Sequence, residues 1–215
     1  MIEKTRKHLA RIARQMLARG LTDGTSGNIS LLDKSSQLVA VTPSGMPYTE
    51  MTAGQIPVLK ITGEVVWGEC PPTSEYRMHL AALAAREGIS AVIHTHSRFA
   101  IALACIHQAL PSITVDMAAY CGKEAPVIPY QTPGSDALAS AVTDTIRRGN
   151  RAMLLANHGA LFAAPEPDLL IDGAEALELA AMAYIRGSIV GVPQPLLEGD
   201  VNDLLDLVYG QKRAV

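Results

Sequence analysis

Apolar residues recur at helical spacing from Met1 to about Ala18. Ile2, Leu9, Ile12, Met16 and Leu17 form one stripe, and Gly20 is placed to end the helix. The pattern then shortens to strand length. Ile29 to Leu32, Leu38 to Val41, Pro57 to Ile61 and Val65 to Trp67 read as strands. Turns at Asp33 to Ser36 and at Thr62-Gly63-Glu64 join them as hairpins. Cys70-Pro71-Pro72 breaks the chain before a helix with Tyr76, His79, Leu80, Leu83 and Ala84 on one face, for which Thr73 or Ser74 can serve as N-cap. Ala91-Val92-Ile93 is apolar and β-branched, the pattern of a buried strand, and it runs directly into His94-Thr95-His96.

Beyond it, Ser97 is placed to cap a helix through Ile106. Val127 to Tyr130 is a short strand, and Pro133-Gly134-Ser135 opens a helix from Asp136 to Arg148. Ala152 to Ala156 is an apolar strand ending in Asn157-His158-Gly159-Ala160. Helices are expected from Asp168 to about Gly187 and from Gly199 to Tyr209. Hairpins come first, and strands and helices then alternate. This implies an α/β fold with helices covering a sheet and much antiparallel pairing. No G-x-G-x-x-G follows a strand and no G-K-[ST] occurs, which argues against the common nucleotide-binding motifs.

The 215 residues suffice for one substantial core, and nothing resembling a linker divides them. A formal charge of -3 gives no electrostatic case for nucleic acid. Met1 to Lys7 are mixed in charge with no apolar run behind them, so no signal peptide is expected. The run from Phe99 to Ile106 is too short to span a bilayer. Three widely spaced cysteines, Cys70, Cys105 and Cys121, fit reduced thiols in a cytoplasmic protein better than a disulfide framework.

The candidate chemistry lies at strand ends. Residues two apart on a strand face the same way, so His94 and His96 project side by side, as a metal-binding pair or as polar residues closing a strand. His158 sits just past another buried strand, as a third ligand or as a turn residue before Gly159. Three imidazoles meeting at one sheet edge would leave positions open for water or substrate, the pattern of a catalytic zinc site. Glu75 falls in the first turn of its helix, where a carboxylate also suits the helix dipole. His79, one turn on, reads as a partly buried helix residue rather than a ligand. Gly24-Thr25-Ser26-Gly27-Asn28 and Thr42-Pro43-Ser44-Gly45 are glycine-hydroxyl loops that serve as turns or offer donors to a phosphate. Ser74 at a helix start adds to them.

These motifs, in this order with Pro72-Thr73-Ser74-Glu75-Tyr76-Arg77-Met78-His79 and Asn157-His158-Gly159, resemble the class II aldolase/adducin-head family, and within it the L-fuculose-1-phosphate aldolase-like proteins. The likeness covers nearly the whole chain. It implies one domain over residues 1–215, a three-layer α/β/α fold around a largely antiparallel sheet, and a homotetramer. It implies a divalent metal on His94, His96 and His158, typically zinc, with manganese or cobalt as alternatives. Glu75 matches the family's acid/base. Thr25, Gly27, Asn28, Ser44, Gly45, Thr73 and Ser74 fall in motifs that hold a substrate phosphate. Tyr209 resembles a tail tyrosine that closes over the site. Two positions depart from the pattern: Val115, with Asp116 beside it and Tyr120 five residues on, stands where the family has a catalytic tyrosine, and Pro133 replaces a loop aromatic. The implied activity is cleavage of a phosphorylated ketose through a metal-stabilised enediolate. The same parts would serve a 3-oxo-tetronate 4-phosphate-type decarboxylase or a pentulose-phosphate 4-epimerase, and the adducin head is a non-catalytic module of the same fold.

Overall fold

A computed structural model describes residues 2–210. In chain order the elements are α1 (Ile2–Ala18), β1 (Asn28–Asp33), β2 (Leu38–Val41), β3 (Val58–Lys60), β4 (Val65–Trp67), α2 (Tyr76–Ala85), β5 (Ala91–Thr95), α3 (Arg98–Cys105), β6 (Leu110–Pro111), α4 (Val115–Cys121), β7 (Glu124–Ala125), β8 (Val127–Ile128), α5 (Asp136–Arg147), β9 (Ala152–Leu155), β10 (Gly159–Ala164), α6 (Leu170–Val190) and α7 (Glu198–Tyr209). A short 3-10 turn, Pro167–Leu169, leads into α6. No helix among the described residues is long and apolar enough to cross a membrane.

Eight strands form one sheet in the order β4-β3-β2-β1-β5-β10-β9-β8. Every neighbouring pair is antiparallel except β8 and β9, which α5 connects by a crossover. β6 and β7 pair separately. Strand alternation sorts the buried side chains onto two faces. Ile29, Leu31, Ile93, Leu154 and Phe162 join one core with residues of α1, α3, α4 and α6. Val39, Val41, Val92, Met153, Leu155 and Leu161 join the other with residues of α2 and α5. The chain is thus a large mixed sheet with helices on both sides, as the three-layer expectation holds.

Several local expectations change. β10 is a strand that alternation does not reveal, because all six of its residues are buried and both faces are apolar. Its pairing makes residues 156–158 a hairpin turn between β9 and β10, with Gly159 opposite Leu155, where the expected strand ran through Ala156 and ended in Asn157-His158-Gly159-Ala160. α2 starts later than expected. Its N-cap residue is Glu75, not Thr73 or Ser74, and no side chain caps it. Ser97 holds the N-cap position of α3, but its hydroxyl does not cap the helix. Glu178 of α6 does so instead, accepting from the amides of Phe99 and Ala100 at 2.9 Å each. α4 was not foreseen. Thr114 caps it through the amide of Met117, and Gly122 ends it.

Phe162 anchors the face that carries α6. It is 1% exposed and lies over Gly173, where a Cβ would meet the ring at 2.2 Å. The helix can approach no closer, and removal of the ring leaves a void under it. Phe162→Ala is expected to lower the unfolding free energy by about 3–5 kcal/mol. Urea denaturation of parent and variant measures it, and a loss below about 1 kcal/mol would show that the site collapses around the smaller side chain.

Candidate metal centre and its pocket

The site forms where three parts of the fold meet on the α2/α5 face of the sheet. His94, in β5, shares the face of Val92, and Asn28 lies directly opposite it on β1. β10 flanks β5 on the other side, with Leu161 opposite His94. The β9–β10 turn then carries His158. Asn157 in that turn adopts φ 58°, a left-handed conformation that asparagine tolerates. Two glycines permit the crowding. A Cβ on Gly159 would meet the Thr95 carbonyl at 2.4 Å and the His94 ring at 2.9 Å. Gly27 has φ +71°, and a Cβ there would meet the His94 carbonyl at 2.7 Å.

The outcome is a cluster of imidazoles. One ring nitrogen from each of His94, His96 and His158 lies within 4.8 Å of the others. His94 is fully buried, while His96 and His158 are partly exposed. The His94 Nδ1–H donates to the Ala160 carbonyl at 2.9 Å, which leaves Nε2 as a bare lone pair. That lone pair faces His96 Nε2 at 3.0 Å and Glu75 Oε2 at 3.4 Å. Glu75 Oε1 lies 3.4 Å from His158 Nε2 and is buried without a hydrogen-bond partner. Burial, and then the nearby rings of His158 and His96, hold the His94 imidazole well below its ordinary range. Burial and His158 depress His96 in the same direction, against Glu75. Neutral imidazoles and a carboxylate whose lone pairs converge in the interior can be reconciled only by protons or a cation. The donor set of three nitrogens and one oxygen suits a divalent ion such as zinc.

Beside the histidines lies a pocket of about 160 Å³ lined by Thr25, Ser26, Gly27, Asn28, Pro43, Ser44, Gly45, Thr73, Ser74, Glu75 and His96. Every residue expected at a phosphate is therefore on one wall or another of the same small space, next to the expected acid/base and one expected ligand. Backbone bonds stitch the segments together. The Ser44 amide donates to the Pro71 carbonyl at 2.9 Å, and the Thr73 amide to the Thr42 carbonyl at 2.9 Å. Thr25, Ser44 and Ser74 are exposed at the rim. Asn28 and Thr73 are buried, and their side chains bond to each other and to the Glu75 segment.

Residues 7–185 match the family described as the class II aldolase and adducin N-terminal domain. The chain is 35% identical over 214 residues to a 5-deoxy-D-ribulose 1-phosphate aldolase of Bacillus thuringiensis serovar kurstaki, an overlap of 99% of this chain and 100% of that protein. This chain belongs to the class II aldolase and adducin N-terminal domain family. It is also 30% identical over 186 residues to an L-fuculose phosphate aldolase of Escherichia coli K12, covering 86% of this chain and 85% of that one. A solved L-fuculose 1-phosphate aldolase superposes with a TM-score of 0.88 at 34% identity, covering 94% of each chain. The protein is a class II aldolase, a lyase. Class II aldolases are metal-dependent, and the three converging imidazoles could hold a metal ion.

Other expected residues of this aldolase lie elsewhere in the chain. Tyr209, at the end of α7, donates from its hydroxyl to the Tyr120 carbonyl at 2.7 Å and stacks under the Arg151 guanidinium. Burial pushes its phenol upward. Val115 opens α4 and is exposed, while Asp116 and Tyr120 line a roomier cavity of about 530 Å³ with Asp172, Glu178 and Phe99. None of the histidines lines that cavity, so its size does not mark the chemistry.

His79 was expected to be a partly buried helix residue. It is fully buried and bonded on both ring nitrogens, to Ser30 and to Asn28. The sequence signal for this was available only in retrospect, in a serine and an asparagine two apart on one strand. Burial, with the nearby His94 adding to it and Glu75 opposing, lowers His79 to about 3 from an ordinary 6.5. Below pH 6.5 the unfolded chain takes up this proton while the folded chain does not. Stability of the metal-free protein is therefore full above that pH and declines as the pH falls toward 3. His79 contributes at most about 1.4 kcal/mol per pH unit to the decline. Urea denaturation across this range should show a steeper pH dependence for the parent than for His79→Gln. Equal slopes would mean that His79 is protonated in the folded state.

Proposed function

We propose that this chain is a metal-dependent aldolase that cleaves a phosphorylated ketose, of the chemical kind for which its relatives are named. One observation carries the proposal: three clustered imidazoles and a buried carboxylate with an unpartnered oxygen adjoin a donor-lined pocket, which His96 and Glu75 themselves help to line. His94, His96 and His158 would hold the divalent ion, zinc by the character of the donors. When bound, the ion supplies a Lewis acid for the negative charge that carbon–carbon cleavage leaves on the ketose fragment.

The chain's own groups do the rest. The Thr25–Asn28 loop, Ser44-Gly45 and the Thr73-Ser74 turn before α2 offer amides and hydroxyls to the phosphate, so that binding remote from the reaction is converted into orientation. Glu75 moves a proton at the carbon or oxygen of the ketose fragment through Oε1, the oxygen with no partner in the chain. The homotetramer and a cytoplasmic location, over a single domain of 1–215, belong to the same proposal. So does the role of Tyr209. Its hydroxyl faces Tyr120 within its own chain, so that role would be exercised on a neighbouring subunit's site.

Glu75→Gln keeps the side chain's shape and removes the base. Its turnover of a ketose 1-phosphate should fall by about 10²–10⁴ with bound metal retained. His94→Ala should lose metal and turnover together. Metal analysis with a coupled aldehyde assay reads both, and parent-like turnover in Glu75→Gln would remove that residue from the chemistry.

The pocket makes a second demand. The phosphorylated sugar should be turned over far better than its dephosphorylated analogue, with the loss removed from the variants Thr25→Ala and Ser74→Ala in proportion to the donors they lack. Equal kcat/KM for the two sugars in the parent would count against a phosphate site.

A further inference from the structure

The hydrogen bonds behind Glu75 run in one direction. An ionised carboxylate can only accept, so the Asn28 Nδ2 donates to Glu75 Oε2 at 2.9 Å and to Thr73 Oγ1 at 3.1 Å. The Asn28 carbonyl oxygen is thereby turned toward His79, whose Nε2–H donates to it. His79 Nδ1 is then an acceptor, and the Ser30 hydroxyl donates to it at 2.8 Å. The members are shut away from solvent: Ser30 and His79 are 0% exposed, Asn28 5% and Glu75 6%.

An asparagine amide is nearly symmetric in shape, so only its partners decide which end faces the carboxylate. A flipped Asn28 would set a carbonyl oxygen against Oε2 and push the carboxylate away. We propose that His79 and Ser30 are positioning residues for the proton transfer at Glu75, holding Asn28 in the orientation that anchors Oε2 and leaves Oε1 free to react.

This rests on the aldolase reading of the site and adds two residues to it. The alternative, a histidine kept for packing, does not explain the arrangement. The buried neighbours of His79 on α2, Met78, Leu80, Ala82 and Leu83, are apolar, and an apolar side chain in its place would avoid the cost of burying an imidazole. Both ring nitrogens are instead used, and the bond through Asn28 leads to Glu75.

The experiment compares His79→Leu, His79→Gln and the parent on fuculose 1-phosphate and 5-deoxyribulose 1-phosphate. His79→Leu should lower kcat by about 10–100-fold, the usual effect of removing an outer-shell partner, with KM and bound metal unchanged. His79→Gln, whose amide N–H still reaches Asn28, should recover kcat to within about tenfold of the parent. A parent-like His79→Leu, a glutamine variant no better than leucine, or a change confined to KM would each overturn the proposal. A second arm needs no substrate. The chain has six histidines, so nitrogen spectra of histidine-labelled protein are sparse enough to assign. At neutral pH His79 should show the Nε2–H tautomer, and Ser30→Ala should weaken that preference. The Nδ1–H tautomer, or an imidazolium, in the parent would overturn the proposal whatever sugar is cleaved and whether or not His79→Leu folds. Failure of the network is thus distinguished from failure of the aldolase reading.

Discussion

The structure depends on holding like groups together. Three ring nitrogens and two carboxylate oxygens converge in the interior, an arrangement that needs protons or a cation between its lone pairs. The chain sustains it by gripping two of the groups from behind. His94 is tied through Nδ1 to the Ala160 carbonyl, and Glu75 is tied through Oε2 to Asn28. A buried polar group with satisfied partners costs little, whereas an unpaired one costs several kcal/mol in an apolar surrounding, about 1–3 by mutational measure. At the site two atoms are left unpaired, Glu75 Oε1 and His158 Nδ1; the other unpaired buried side-chain atoms among the described residues belong to Arg6, Asp33 and Arg86.

The antiparallel sheet makes this possible. β5 lies between β1 and β10, so the site draws partners from both sides: from β1, Asn28 for Glu75 and Ser30 for His79, and from β10, Ala160 for His94. The start of α2 lies over the same face and brings Glu75 and His79 down onto it. Glu75 gives up a helix-capping hydrogen bond and faces the histidines instead. The two glycine-hydroxyl loops precede β1 and follow β2, two adjacent strands, which is why segments far apart in sequence share one small pocket.

Much of this was legible in the chain. An apolar β-branched run ending in two histidines two apart implies a strand that presents both to one face, and the helix stripes and hairpin turns imply an α/β fold. These are periodic signals between near neighbours, and the backbone enforces them locally. β10 escaped because Gly-Ala-Leu-Phe-Ala-Ala is buried on both faces and so shows no alternation. The N-cap of α2 was misplaced because Thr73 and Ser74 have the right chemistry for a cap. Thr73 spends its hydroxyl on Asn28 and the Glu75 amide instead.

By itself, then, the sequence determined the layered fold, the identity of the three imidazoles and the residues of the donor-rich loops, because those depend on residue type and spacing along a strand, helix or turn. Only the tertiary structure decided how the groups face one another. Asn28 meets Thr73 across 45 positions, Glu75 across 47 and His79 across 51. Contacts that long are set by strand register and by where α2 lands on the sheet. A one-residue slip of β1 would have turned Asn28 and Ser30 to the opposite face, leaving Glu75 without its anchor.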